Sequence, residues 1–180
     1  MAEETENGDE ITVDKNTETV EETEIGDDTI VYSRPAQDWS YKAACRHYAF
    51  ECPNTSKYNI DENVNFIAFR NKGGVMKRVF KIEERLLMNL QSDYFAFLKD
   101  ESIPQEKKDR VKGYVNEMLK QRKEPKRGEL LEEKQILLFA PETISLPNRP
   151  TPAKRSNSYN CYYKLGDLKT EDKVELVKMK

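Results

Sequence analysis

The sequence predicts an α+β domain built on a mixed or mainly antiparallel sheet, with a helical insertion and an acidic amino-terminal tail. Three observations carry that reading. Residues 63–82, NVNFIAFRNKGGVMKRVFKI, set two runs of strand-forming residues on either side of Asn71-Lys72-Gly73-Gly74. Two glycines free to take positive φ make that tetrad a hairpin turn. Ser102-Ile103-Pro104 opens a helix that runs to about Lys123, with Glu106 early and Lys120, Arg122 and Lys123 late, as the helix dipole favours. Residues 1–30 hold twelve acids against one base, Lys15, and almost no large apolar side chains. Such a segment cannot bury enough surface to offset its chain entropy, so residues 1–29 are expected to be a disordered tail on one domain spanning 30–180.

Taken in order, Thr29 to Tyr32 is a short β-prone run ending near Pro35, and Ala36 to Arg46 suits one or two helical turns with Trp39, Ala43 and Ala44 on one side. His47 to Cys52 (HYAFEC) alternates as a strand, closed by Pro53-Asn54, and residues 54–63 are polar loop. In the hairpin's first arm Val64, Phe66 and Ala68 point one way and Ile67 and Phe69 the other, the pattern of a central strand covered on both faces. Its second arm sets Lys77, Arg78 and Lys81 among Val75, Met76, Val79, Phe80 and Ile82, so part of one face stays wet. Glu83 to Leu98 fits helix and strand in different parts, and residues 86–130 together read as the helical insertion. On the long helix Val111, Tyr114, Val115, Met118 and Leu119 share one face, and Gly113 weakens it by about 1 kcal/mol relative to Ala. Glu124 to Glu129 is a turn, and Lys134 to Ala140 (KQILLFA) is a strand. Pro141, Pro147, Pro150 and Pro152 then make an extended loop too rich in proline for a central strand. Tyr162, Leu165 and Leu168 form one side of a short closing helix, and the last ten residues are a frayed helix or strand.

Charge divides the chain. The formal net of −3 conceals a body, residues 31–180, in which 29 bases face 21 acids, a net of +8. A basic body behind an acidic tail points to a polyanionic partner, and the tail is either a solubilising segment or an anionic competitor for that partner's site. No apolar run approaches the length of a membrane span, the amino terminus is unlike a signal peptide, and three cysteines without framework spacing suit a reducing cytoplasm.

Catalytic and metal chemistry find little purchase. Cys45, His47, Cys52 and Cys161 lack the close cysteine pairs of zinc sites, so no metal or cofactor is expected. Cys45 and His47 would share a strand face as a nucleophile–base pair, against the plainer reading of a structural histidine. Glu132-Glu133-Lys134 offers the acid-x-Lys step of a metal-dependent nuclease, with Asp61, Glu83, Glu84 or Asp93 as a further acid, against a solvated chain end. The Gly-Gly turn has no Gly-x4-Gly-Lys-Ser/Thr context for phosphate.

The basic residues are more coherent. Arg70, Lys72, Lys77, Arg78 and Lys81 cluster at the hairpin, and Lys120, Arg122, Lys123, Lys126 and Arg127 end the long helix. Arg149, Lys154 and Arg155 precede Tyr159, Tyr162 and Tyr163. Mobile cations suit phosphates and flat rings suit unpaired bases. The candidate nucleic-acid-binding residues are therefore Arg70, Lys72, Lys77, Arg78, Arg149, Lys154 and Arg155 on phosphates, with Tyr159 or Tyr162 stacking.

HYAFECP, NVNFIAFRNKGGVMKRVFKIEE, KQILLFAPETISLP and SYNCYYKLGDL together resemble a PUA- or EVE-like accessory domain of prokaryotic restriction and defence proteins, across roughly residues 30–176. The resemblance implies a sheet curled into a partial β-barrel and a non-catalytic reader of DNA or RNA, of modified or flipped bases among them. It carries over no binding residue. A protein-interaction module whose basic face meets an acidic partner is the second reading, and the small nuclease the third.

Overall fold

The computed structural model describes residues 25–122, 127–154 and 161–179. Its strands are β1 (Ile30–Pro35), β2 (Ala49–Pro53), β3 (Phe66–Arg70), β4 (Arg78–Met88), β5 (Lys134–Ser145), β6 (Thr151–Pro152), β7 (Cys161–Lys164) and β8 (Lys173–Val174). Its helices are α1 (Asp38–His47), α2 (Ser92–Lys99), α3 (Gln105–Gln121), α4 (Arg127–Leu131) and α5 (Leu165–Thr170). Six strands form one mixed, mostly antiparallel sheet in the order β2-β5-β4-β3-β1-β7, in which only β1 and β3 run parallel. The sheet does not close, and β6 and β8 pair separately.

The hairpin lies near the middle of this sheet. β3 and β4 pair Phe66 with Lys81, Ile67 with Phe80 and Ala68 with Val79. Gly73 and Gly74 take φ of 78° and 81°, the left-handed region that a side chain resists. Ile67 and Phe69 face one apolar cluster; Ala68, with Phe66 packed against it, belongs to a second on the opposite side. Val64 precedes the strand and joins the first cluster, not the Ala68 face.

Ring contacts show how far the sheet curls. Adjacent strands lie about 4.8 Å apart, so β2 and β3, three spacings apart in the strand order, would be separated by about 14 Å if the sheet were flat. Yet Phe50 of β2 and Phe69 of β3 bring their ring centroids to 4.6 Å. The interior so formed is aromatic: Phe69 also meets Phe80 at 5.5 Å and Phe139 at 6.1 Å. α1 and α3 cover this side, and α5 with Met76, Leu146 and Val174 covers the other.

Several boundaries differ from expectation, each for a local reason. α1 continues through His47 and stops at Tyr48, whose φ of 48° turns the chain into β2. β4 runs on to Met88, because its outer half keeps pairing with β5, and α2 follows. The helices α2, α3 and α4 all lie between β4 and β5, and α4 begins at Arg127 where a turn was expected. Leu119 is 38% exposed and does not join the buried face of α3. β5 passes through Pro141 to Ser145. Between Phe139 opposite Ile82 and Thr143 opposite Phe80 the register slips, and a proline is tolerated at such a bulge. Thr151–Pro152 is a short strand, although the proline-rich stretch was expected to be loop throughout.

Two backbone bonds hold the chain's entry to α5. The Gly166 N–H donates to Asp27 O at 2.8 Å and the Leu165 N–H to Thr29 O at 2.9 Å, while Asp28 pairs with Lys164 at 2.7 Å. The tail expected to reach residue 29 is thus anchored from Asp27 onward; residues 1–24 lie outside the described residues.

Candidate functional site

The curl sets the ends of β1 and β2 over one another, and a cavity of about 370 Å³ opens there. Trp39 and Ser40 from the first turn of α1, Phe50 and Glu51 from β2, Tyr58, and Tyr114 and Arg122 from α3 line it with Arg34. Four of these are aromatic rings, and Trp39 is the only tryptophan in the chain.

Arg34 stands on β1 two residues after Tyr32, so strand alternation carries it to the same, core-facing side. It is 7% exposed. Its guanidinium carbon lies 4.9 Å from the Phe50 ring centre and 5.4 Å from that of Tyr58, both within cation–π range. Nε and Nη1 are buried and have no hydrogen-bond partner among the described residues. Glu51 is equally unusual, a carboxylate inside the apolar strand AFECP with its side chain 2% exposed. Arg122 donates to its Oε2 at 3.1 Å. Oε1 has no hydrogen-bond partner among the described residues, and the buried Lys134 Nζ lies 4.0 Å from it. Burial, and after it the negative charge of Glu51, raises the Tyr114 hydroxyl above the usual phenol range, so it remains a neutral O–H group.

A second cavity of about 420 Å³ shares Ala36 and Gln37 with the first. Its remaining wall is Asp38, Asn71, Lys72, Val75, Lys77 and Arg149. The hairpin turn is fixed here by Gly74 N–H to Asn71 O at 2.8 Å and Asn71 N–H to Val75 O at 2.9 Å. The Asn71 side-chain amide has neither atom partnered among the described residues. Lys77 Nζ lies 5.8 Å from the Tyr41 ring. The one acid of this wall, Asp38, is paired with Lys42 at 2.7 Å. Three cations therefore line a cleft that adjoins the aromatic pocket.

Of the residues expected from sequence, Lys72, Lys77 and Arg149 come together in this cleft. Arg78 is half-buried beside Tyr41 and Lys154 is exposed, and neither lines the cleft. Arg70 and Tyr162 are core residues. Arg70 is 4% exposed at the end of β3, and Tyr162 is 9% exposed opposite Tyr32, its ring 5.5 Å away. Neither side chain is placed to meet a phosphate or an incoming base. Arg155 and Tyr159 lie outside the described residues. The acid-x-Lys step forms an internal pair, with the buried Lys134 Nζ 3.0 Å from Glu132 Oε2. Cys45 and His47 end up on a helix, and His47 Nε2 meets Glu117 Oε1 at 2.7 Å. Cys52 is buried, which pushes its thiol up to about 11.

Sequence reasoning missed Arg34, Phe50, Glu51, Tyr58 and Tyr114 as site residues. Two signals were available: an arginine in phase with the core positions of IVYSRP, and a glutamate inside AFECP. Compared with protein-family models, with curated proteins and with solved structures, the chain matches none. Among the described residues no helix is long and apolar enough to cross a membrane.

Proposed function

We propose that this domain is a non-catalytic, nucleic-acid-binding module that takes a single-stranded segment, with backbone phosphates along Lys72, Lys77 and Arg149 and one unpaired base in the aromatic pocket. The observation that carries the reading is the adjacency of the two cavities, which have Ala36 and Gln37 in common in their walls. Phosphate and base are joined by a sugar, so a cation-lined groove opening beside a ring-lined pocket matches the two chemistries of one nucleotide. The size agrees, since small-ligand pockets start at about 300 Å³. The setting is the one the resemblance implies, a cytoplasmic protein of restriction or antiphage defence.

Fluorescence anisotropy with labelled ten-nucleotide DNA and RNA strands, and with a duplex and an acidic peptide as comparisons, tests this at low salt. Salt-sensitive binding of single strands, abolished in the combined Lys72→Ala, Lys77→Ala, Arg149→Ala variant, is expected. Binding of the acidic peptide with no binding of either nucleic acid would replace this reading with a protein-interaction module.

A further inference from the structure

We infer that residues 3–14 of this chain (EETENGDEITVD) dock in the basic cleft and, resting on the reading above, that a strand of nucleic acid binds there by displacing them. Positive charge is left unbalanced in the cleft. Lys72 comes to it from the hairpin turn, Lys77 from the approach to β4 and Arg149 from the proline-rich loop. None of the three forms an ion pair among the described residues. The acid of that wall, Asp38, is taken by Lys42, whereas Arg46, Lys107, Arg110 and Arg122 on the helices each meet a carboxylate of their own. Like charges lining one cleft focus a positive potential in it and draw an anionic segment there.

The occupant follows from charge and length. Of the twelve acids in residues 1–30, Asp27 and Asp28 are already spent on cations of the body, Asp28 on Lys164 at 2.7 Å and Asp27 on Lys169 at 3.5 Å. The other ten, with the single base Lys15, lie in residues 1–24. Asp27 is fixed to Gly166, and Ala36 in the cleft wall is nine residues further on, so the two are at most about 32 Å apart. Residues 15–24, fully extended, cover about the same distance. That places residues 3–14 at the cleft, with Glu3, Glu4, Glu6, Asp9, Glu10 and Asp14 and no base, and leaves Lys15 in the connecting stretch.

Because the segment belongs to the same chain, its docking is intramolecular, at an effective concentration in the millimolar range, and a weak contact is enough to fill the cleft. A strand then binds with an affinity reduced by the fraction of molecules whose cleft is open. With the cleft open in about a tenth to a half of molecules, the strand binds about two- to tenfold more weakly than to a free cleft. Both partners of the contact are exposed charges, so the reduction is largest at low salt and fades as salt rises.

A water-soluble carbodiimide joins a carboxylate to a lysine amine only where the two touch. The full-length protein is treated with it at low salt, and the joined peptides of the monomer band are identified by mass spectrometry. Acids of residues 3–14 are expected on Lys72 or Lys77, and the product is expected to disappear at high salt; acids of this segment joined only to other lysines would overturn the docking. Two full-length variants of equal charge then measure its consequence by anisotropy with a ten-nucleotide single strand. Glutamine at Glu3, Glu4, Glu6 and Glu10 is expected to tighten low-salt binding by about two- to tenfold. Glutamine at Glu18, Glu21, Glu22 and Glu24, in the connecting stretch, is expected to tighten it less. Equal gains in the two variants would mean repulsion by overall charge and would also overturn the docking. Cross-links to Lys72 or Lys77 with no strand bound by any of the three proteins would overturn the nucleic-acid reading and leave the docking standing.

Discussion

Gly113 is where a simple helix-propensity argument gives the wrong sign. In isolation Gly113→Ala stabilises α3 by about 0.8–1 kcal/mol. In this fold a Cβ at that position would lie 2.4 Å from His47 Nδ1 and 2.6 Å from Cε1, where ordinary contact begins at 3.4 Å. The imidazole is not free to withdraw, because Glu117 holds its Nε2 at 2.7 Å and the ring packs between α1 and α3. Overfilling a packed contact costs about 1–3 kcal/mol, so the propensity gain is cancelled or outweighed and Gly113→Ala leaves stability unchanged or lowers it by up to about 2 kcal/mol. Removing the imidazole reverses the sign. In a His47→Ala background the same substitution finds space and stabilises by about 1 kcal/mol. Equilibrium urea unfolding of the four proteins measures the cycle, and the predicted coupling is about 1–3 kcal/mol. An equal effect of Gly113→Ala in both backgrounds would refute the argument.

Two further predictions follow from charge. For three phosphates neutralised on a single strand, log affinity should fall against log salt with a slope of about −2, or about twentyfold between 50 and 200 mM. Each single alanine at Lys72, Lys77 or Arg149 should flatten the slope by about 0.7, and a slope unmoved by all three would place the phosphates elsewhere. On α3, the hydrogen bond with His47, and after it the one from Arg46, holds the Glu117 carboxyl below the usual carboxylate range. A carboxyl whose folded pKa is depressed contributes stability above its unfolded value, near 4.3, and loses it as pH falls through the folded pKa. Glu117→Gln should therefore unfold with a shallower pH dependence than the parent protein below about pH 4.3, measured by denaturant midpoints; identical acid limbs would refute the contribution.

The hairpin was legible because its signals are local: strand-forming arms of the right length, and two glycines where positive φ is required. The long helix was legible for the same reason, from Pro104 at its start and its buried face. Other features depend on distant parts of the chain. Gly113 looks like a weak point in α3 until α1 is packed on it. The run of basic residues around its hairpin makes Arg70 look like a surface cation, whereas its strand is covered on both faces. Tyr162 follows basic residues, the setting of a stacking ring, but β7 carries it directly opposite Tyr32. The pocket was the hardest to see. Phe50 and Tyr114 have the spacing of ordinary core residues, and Arg34 and Glu51 lie 17 residues apart on strands that meet only because the sheet curls. The wall at Ala36 and Gln37, which this pocket shares with the basic cleft, carries no sequence pattern at all.

The central claim is that one strand of nucleic acid occupies cleft and pocket together, and Trp39 reports on it without a label. As the only tryptophan, at the pocket wall, it should respond when a base stacks among the surrounding rings. Titration with a ten-nucleotide single strand should change Trp39 emission saturably, with the midpoint that anisotropy gives for the same strand. Anisotropy that reports binding while Trp39 emission stays unchanged would show that the strand binds elsewhere, and would contradict the account.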